Sequence, residues 1–234
     1  MLKRSFITLT APLLLLFSSC TPVSKYIDAS EVLNWEADIQ VFDSLNAVEN
    51  SDQNTLLVTG SSSVRLWNSI HSDLVPFQVM QRGYGGAKLT DFNHYADRII
   101  KPHTFKAILV FVANDITGGD QDRTPREVLW LFKTLVRQIR ERNPHTPVFW
   151  METTPTPSRW EAISELRKSG DLIRRYCQRN QDLFFIDTYE VFMNHKGEPD
   201  PGYFRQDMLH LNRKGYELWS ETILKALEQA GISP

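Results

Sequence analysis

The stretch NTLLVTGSSSVRLW, residues 54–67, decides the fold. Leu56, Leu57 and Val58 form an apolar run that stops at Gly60; three serines follow, and apolar residues resume at Val64, Leu66 and Trp67. A strand that ends in a glycine and turns at once toward a helix lifts a side chain onto the carboxyl edge of a sheet, where open α/β proteins place their sites. Further strand-like runs lie at residues 77–81, 105–113, 147–151 and 183–187, with the first at 55–59. Helical patterns lie between or beyond them, at 64–70, 91–100, 125–142, 159–178 and 213–230. This alternation predicts an α/β domain with a central parallel sheet covered on both faces. Trp130, Phe132, Leu135, Val136 and Ile139 read as the core-facing side of one helix. Ahead of the first strand, Val32, Leu33, Trp35, Ile39, Phe42 and Leu45 recur near helical spacing, so residues 28–47 read as a leading helix with Ser30 as its cap.

The chain has 234 residues, 41% hydrophobic, and a formal net charge of −2. That length supports one good core, and no repeat or Pro/Gly-rich linker divides it. Lys and Arg are scattered, which removes the electrostatic footprint of a nucleic-acid binder. The first residues differ in kind. Lys3 and Arg4 precede the apolar run 6–17, and Ser18 and Ser19 stand directly before Cys20, a secretory pattern too short for a bilayer span. The ending LLLLFSSC resembles a bacterial lipoprotein signal, which implies lipidation of Cys20; an ordinary signal peptide containing a cysteine is the alternative. The expected organisation is a signal peptide at 1–19, a tether and leading helix at 20–50, and the main domain at 51–234, exported and membrane-anchored. Cys177 is the one other cysteine, so no internal disulfide is expected and the core must hold the domain.

Taken alone, the serine turn reads as a helix cap, because Val64 stands where the serine-hydrolase turn G-x-S-x-G has its second glycine. No G-K-[ST] follows for a phosphate loop. The segment YFRQDMLHLNRKGYELW adds a second signal, Asp207 and His210 three residues apart just before a helix beginning near Asn212. That spacing lets a carboxylate reach the imidazole Nδ1–H and leaves Nε2 facing outward as a base. A nucleophile needs a base and the base needs an orienter, so the two signals support each other.

VTGSSSVRLW, QRGYGGAKLTDF, FVANDI and DMLHLNRKGYELW together resemble, in order, the four conserved blocks of the SGNH (GDSL-like) hydrolase superfamily. The resemblance covers residues 55–219 and implies a flavodoxin-like α/β/α fold and ester hydrolysis by serine attack. It implies Ser62 as nucleophile, His210 as base, Asp207 as its orienter, and an oxyanion hole from the backbone N–H of Ser62, the N–H of Gly86 and the side chain of Asn114. Two residues depart from the pattern: Ser61 replaces the usual Asp, and Val112 the usual Gly, the second suggesting an altered backbone near Asn114.

Asp91 and Asp115 read as helix caps or loop braces. His71, His94, His103, His145 and His195 show no metal-ligand spacing, and no metal or cofactor is expected. The loop TTPTPSRW, residues 153–160, either lines the cleft or is a rigid connection. The reading is a serine esterase for short acyl, above all acetyl, esters on carbohydrate. A lysophospholipase or thioesterase, and a non-catalytic surface glycan-binding protein, are the alternatives.

Overall fold

The computed structural model describes residues 29–234; the signal stretch and Cys20 lie outside the described residues. Five strands, β1 (Thr55–Gly60), β2 (Gln78–Gly83), β3 (Ala107–Phe111), β4 (Val148–Met151) and β5 (Leu183–Ile186), form one parallel sheet in the order β2-β1-β3-β4-β5. Every residue of β1 and β3 is buried, which is why both read as unbroken Leu/Val-rich runs instead of alternating ones.

Alternate side chains of these strands build two cores. Leu57, Ile108, Val110, Val148 and Trp150 pack beneath α1 (Ala29–Leu33), α2 (Glu36–Asn46), α5 (Leu89–Ile100), α6 (Pro125–Arg142) and α7 (Ile163–Cys177). Leu56, Val58, Leu109, Phe111 and Phe149 pack beneath α3 (Ser62–Arg65), α4 (Ile70–Asp73) and α8 (Arg213–Gln229). This is the three-layer architecture expected. The strand order makes β1 and β3 neighbours where the sheet changes its direction of growth, so the loops after these strands open a crevice between them. On α6, Phe132, Leu135, Val136 and Ile139 are buried as expected, with Trp130 half-buried against the same core. Thr124 caps α6 by accepting from the Glu127 N–H, and Pro125 occupies its first turn.

Three helical expectations are corrected. The leading helix is two helices, α1 and α2, broken at Asn34 and Trp35. Trp35 packs on Tyr84 at 5.4 Å between ring centroids and covers Gly85, where a Cβ would come within 2.2 Å of the indole. Ser30 lies inside α1, not ahead of it. Both helices belong to the folded body: Val32, Ile39 and Phe42 are buried in its core, and Tyr95 Oη donates to the Val32 carbonyl at 3.1 Å. The expected helix at 64–70 is instead the two short turns α3 and α4. Trp67, fully buried, interrupts it by stacking on Tyr216 at 5.4 Å while its Nε1–H donates to Asp73 at 2.7 Å. Finally, the helix at 159–178 starts as a 3₁₀ turn, Pro157–Ala162, with Arg159 at a non-helical φ of −120°, before α7 begins.

Burial sets a pH dependence for this fold. It pushes the Asp115 carboxyl up to about 7 and, with Asp187 alongside and against the opposing pull of Arg167 at 3.3 Å and Arg174 at 3.9 Å, that of Glu152 up to about 8. Both groups therefore keep a proton in the folded chain that the unfolded chain has released, so stability must fall as pH rises through this range. Below about pH 6.5 the trend is offset by buried His103, whose pKa desolvation lowers to about 4, because the unfolded chain then gains that proton instead. We expect Tm to be higher at pH 6.5 than at pH 8.5, by roughly 2–4 °C per kcal/mol of linked stability. Glu152→Gln should flatten that decline in a calorimetric pH series. An equal slope in the variant would show that Glu152 is ionised throughout.

Candidate active site

The site starts where β1 ends. Gly60 has φ +141°, and a Cβ there would lie 1.9 Å from the Phe111 carbonyl oxygen, so the turn demands glycine. The Ser61 N–H donates to that oxygen at 2.8 Å, and the Tyr84 N–H donates to the Gly60 carbonyl at 3.0 Å, tying the turn to both neighbouring strands. Ser61 is extended and only 1% exposed. Ser62 follows as the first residue of α3, with Oγ 3.0 Å from His210 Nε2. Its N–H lies in the first turn of a helix, where no intrahelical acceptor is available. The carbonyl of Ser63 accepts from Tyr216 Oη at 2.9 Å. Geometry thus brings Ser62, out of the three serines, to the histidine.

His210 lies on a tight hairpin closed by a bridge between Phe204 and Leu211 and by the Arg205 N–H donating to the His210 carbonyl at 2.7 Å. Asp207 organises this hairpin. Its Oδ1 accepts from the N–H groups of Leu209 (3.0 Å) and His210 (2.9 Å), and its Oδ2 lies 2.7 Å from His210 Nδ1. Desolvation acts to raise its pKa, but the imidazole and these two N–H groups prevail and hold it at about 2. A carboxylate against Nδ1 fixes the proton there, leaving the Nε2 lone pair toward Ser62. Asn212 caps α8 by accepting from the Gly215 N–H at 3.1 Å, matching the expected helix start. Arg213 then clamps α8 to the nucleophile side, donating to both oxygens of Asp73 at 2.6 and 2.7 Å.

Asn114 follows β3. Its Nδ2 donates to the Ala87 carbonyl at 3.0 Å, and its Oδ1 accepts from Arg159 Nη2 at 2.7 Å. An amide nitrogen carries two hydrogens, so one remains for the cleft. Gly86 is exposed on the loop between β2 and α5, beside Ala87, and is not among the residues lining the cleft. Val112 is buried in the core, 3% exposed. Asp115 accepts from the Leu89 N–H at 3.0 and 3.1 Å, and Asp91 from the Lys88 N–H at 3.0 Å and Tyr84 Oη at 2.5 Å. Both act as braces between the loops, as their positions in the sequence suggest.

The cleft beside Ser62 is a space of about 20 Å³. Thr153, Thr154, Thr156 and Arg159 contribute to its wall, so the loop at 153–160 does line it, while Phe204, Leu209 and Leu211 give it an apolar side. Arg159 is the residue that sequence reasoning passed over. Its one signal was a lone arginine on a loop leaving the carboxyl edge of the sheet. Among the described residues, no group of three or more His, Cys, Asp or Glu side chains is placed to hold a metal ion.

Known proteins share this frame. A protein of Streptococcus pneumonia, proposed to be a platelet activating factor, superposes with a TM-score of 0.73 at 17% identity, covering 85% of this chain and 98% of that one. A GDSL-like lipase from Bacteroides thetaiotaomicron gives 0.67 at 16% identity, covering 83% and 98%. A carbohydrate esterase family 3 protein from Talaromyces cellulolyticus gives 0.58 at 15% identity, covering 75% and 97%. At these identities the likeness speaks for the fold alone. No curated protein sequence matches the chain significantly. The model of the GDSL-like lipase/acylhydrolase family, however, matches residues 43–218, a span that takes in the serine turn, the Gly86 loop, Asn114 and the Asp207–His210 hairpin. With three quarters of its length inside that match, the chain belongs to the GDSL-like lipase/acylhydrolase family of ester hydrolases.

Proposed function

We propose that this protein hydrolyses short acyl esters, above all acetyl esters on carbohydrate, through a Ser62-His210-Asp207 triad. The observation that carries the reading is the continuous chain Ser62 Oγ to His210 Nε2 (3.0 Å) and His210 Nδ1 to Asp207 Oδ2 (2.7 Å), opening into a small cleft. In that arrangement His210 takes the Ser62 proton as Oγ attacks the ester carbonyl, and Asp207 stabilises the resulting imidazolium. Negative charge gathers on the former carbonyl oxygen. The free N–H of Asn114 and the N–H of Ser62, both at the cleft, are the donors assigned to it; Gly86, which the sequence resemblance adds as a third, lies on the neighbouring loop outside the cleft lining. His210 then protonates the departing alkoxide, and water, activated by the same histidine, releases the acid from the acyl-enzyme.

The confined cleft favours a small acyl group, and the threonines on its wall suit a hydroxyl-rich alcohol. The test is a p-nitrophenyl ester series with acetylated xylan and related glycans. We expect kcat/KM to be highest for acetate and to fall at least tenfold by octanoate, about 1.4 kcal/mol in the transition state. A preference for octanoate would favour a lipid esterase, and glycan binding without turnover would favour a lectin-like role.

The domain is further proposed to act outside the cytoplasm on a lipid anchor at Cys20. LLLLFSSC supports this reading. A single acyl chain anchors only marginally, so stable attachment requires the multiple acylation of a lipoprotein cysteine. Cys20→Ser should move the protein from the detergent phase to the aqueous phase with kcat unchanged. Equal aqueous recovery of both forms would leave an ordinary secreted esterase.

A further inference from the structure

An asparagine side chain has nearly the same shape in either amide orientation, so its neighbours must decide which way it faces. At Asn114 two neighbours decide. Arg159 Nη2 donates to Oδ1 at 2.7 Å, while Nδ2 donates to the Ala87 carbonyl at 3.0 Å. A flipped amide would set N–H against N–H and oxygen against oxygen, losing both bonds. The same guanidinium reaches back along the chain, Nη1 donating to the Ala113 carbonyl at 2.6 Å, so its fork spans the exit from β3. A cation on Oδ1 also draws electron density through the amide and makes the remaining N–H a stronger donor.

The loop that carries Arg159 is itself held to the base. The Ser158 N–H donates to the Met208 carbonyl at 3.1 Å, two residues from His210, and Pro155 and Pro157 limit the conformations of the loop. One segment thus touches the asparagine on one side of the cleft and the His210 hairpin on the other. Desolvation in this half-buried position disfavours the Arg159 charge, and Asp122 offsets it in part.

We propose that Arg159 is a positioning residue of the oxyanion site, fixing the orientation of the Asn114 amide and strengthening its free N–H. This rests on the serine-esterase reading above, and it assigns Arg159 no contact with the reacting atoms. Its mark is therefore dependence on Asn114. If Arg159 acts through that amide, removing it must matter while Asn114 is present and cease to matter once Asn114 is gone.

The experiment is a double-mutant cycle on p-nitrophenyl acetate with the wild type, Arg159→Ala, Asn114→Ala and the double variant. It is read as kcat and KM, as the rate of inactivation by a fluorophosphonate, and as Tm. Arg159→Ala should lower kcat by about 10–30-fold with KM within about threefold, and in the Asn114→Ala background it should cost less than about twofold. Arg159→Lys, which keeps one charged donor, should recover part of the loss; should Arg159→Ala fail to fold, the same comparison is made with Lys in both backgrounds. Equal losses in both backgrounds, or a loss carried by KM alone, would overturn the assignment and make Arg159 structural or substrate-binding. A wild-type protein that neither turns over nor reacts with the fluorophosphonate would remove the serine-esterase reading, and this proposal with it.

Discussion

Ser62→Ala is expected to lower ester turnover by at least about 10⁴-fold while leaving the fold intact, the scale on which serine hydrolases lose activity without their nucleophile. Of the three hydroxyls only that of Ser62 is hydrogen-bonded to His210. Ser61 is extended and 1% exposed beneath the turn, and Ser63 is held by its carbonyl to Tyr216 Oη at 2.9 Å. The lost hydroxyl is hydrogen-bonded to His210 Nε2, on a ring that is 23% exposed, so water can take its place and Tm should move by no more than about 2 °C. A fluorophosphonate should label the wild type at Ser62 and leave the variant unlabelled. Mass spectrometry placing the adduct on Ser61 or Ser63 would refute the assignment. If the variant folds yet keeps its turnover, a covalent route through Ser62 is excluded.

The parts of this molecule that were legible in the sequence are those whose determinants are local. Leu56 to Val58 and Ile108 to Phe111 announce buried strands because both faces of the sheet are covered, and burial leaves no polar alternation. Asp207 and His210 were readable for the same reason: three residues of a closed hairpin set both of their contacts. The choice among Ser61, Ser62 and Ser63 had no local answer. It depends on Gly60 at φ +141°, forced by the Phe111 carbonyl, and on a histidine 148 residues away. The breaks in the helices are likewise tertiary. Trp67 leaves its helical course to reach Asp73 and Tyr216, and Trp35 leaves its own to cover Gly85. In each case the burial of a large aromatic ring outweighs the continuation of a short helix, whose early turns gain little. Arg159 was the least visible, because both of its acceptors lie some 45 residues earlier in the chain.

Asn114→Ala is expected to lower kcat by about 10²–10³ with a much smaller change in KM, as when one oxyanion donor is removed. The alternative is that Asn114 is only a brace, since both ends of its amide are engaged, Nδ2 with Ala87 and Oδ1 with Arg159. Asn114→Asp separates the two. The aspartate keeps the oxygen that Arg159 holds and turns that contact into an ion pair, but sets its other oxygen against the Ala87 carbonyl, so a purely bracing role predicts a loss read mainly in Tm with kcat of the folded protein little changed. An oxyanion donor predicts a loss of kcat itself, because the substitution replaces the free N–H with a second oxygen, bearing negative charge toward the place where the tetrahedral intermediate gathers its own. On the catalytic reading the aspartate variant is therefore at least as impaired in kcat as the alanine variant despite its closer shape, while its Tm falls with the lost Ala87 bond on either reading. Activity of Asn114→Asp within about tenfold of the wild type would show that Asn114 braces the loop and that the oxyanion is met by the backbone N–H groups alone.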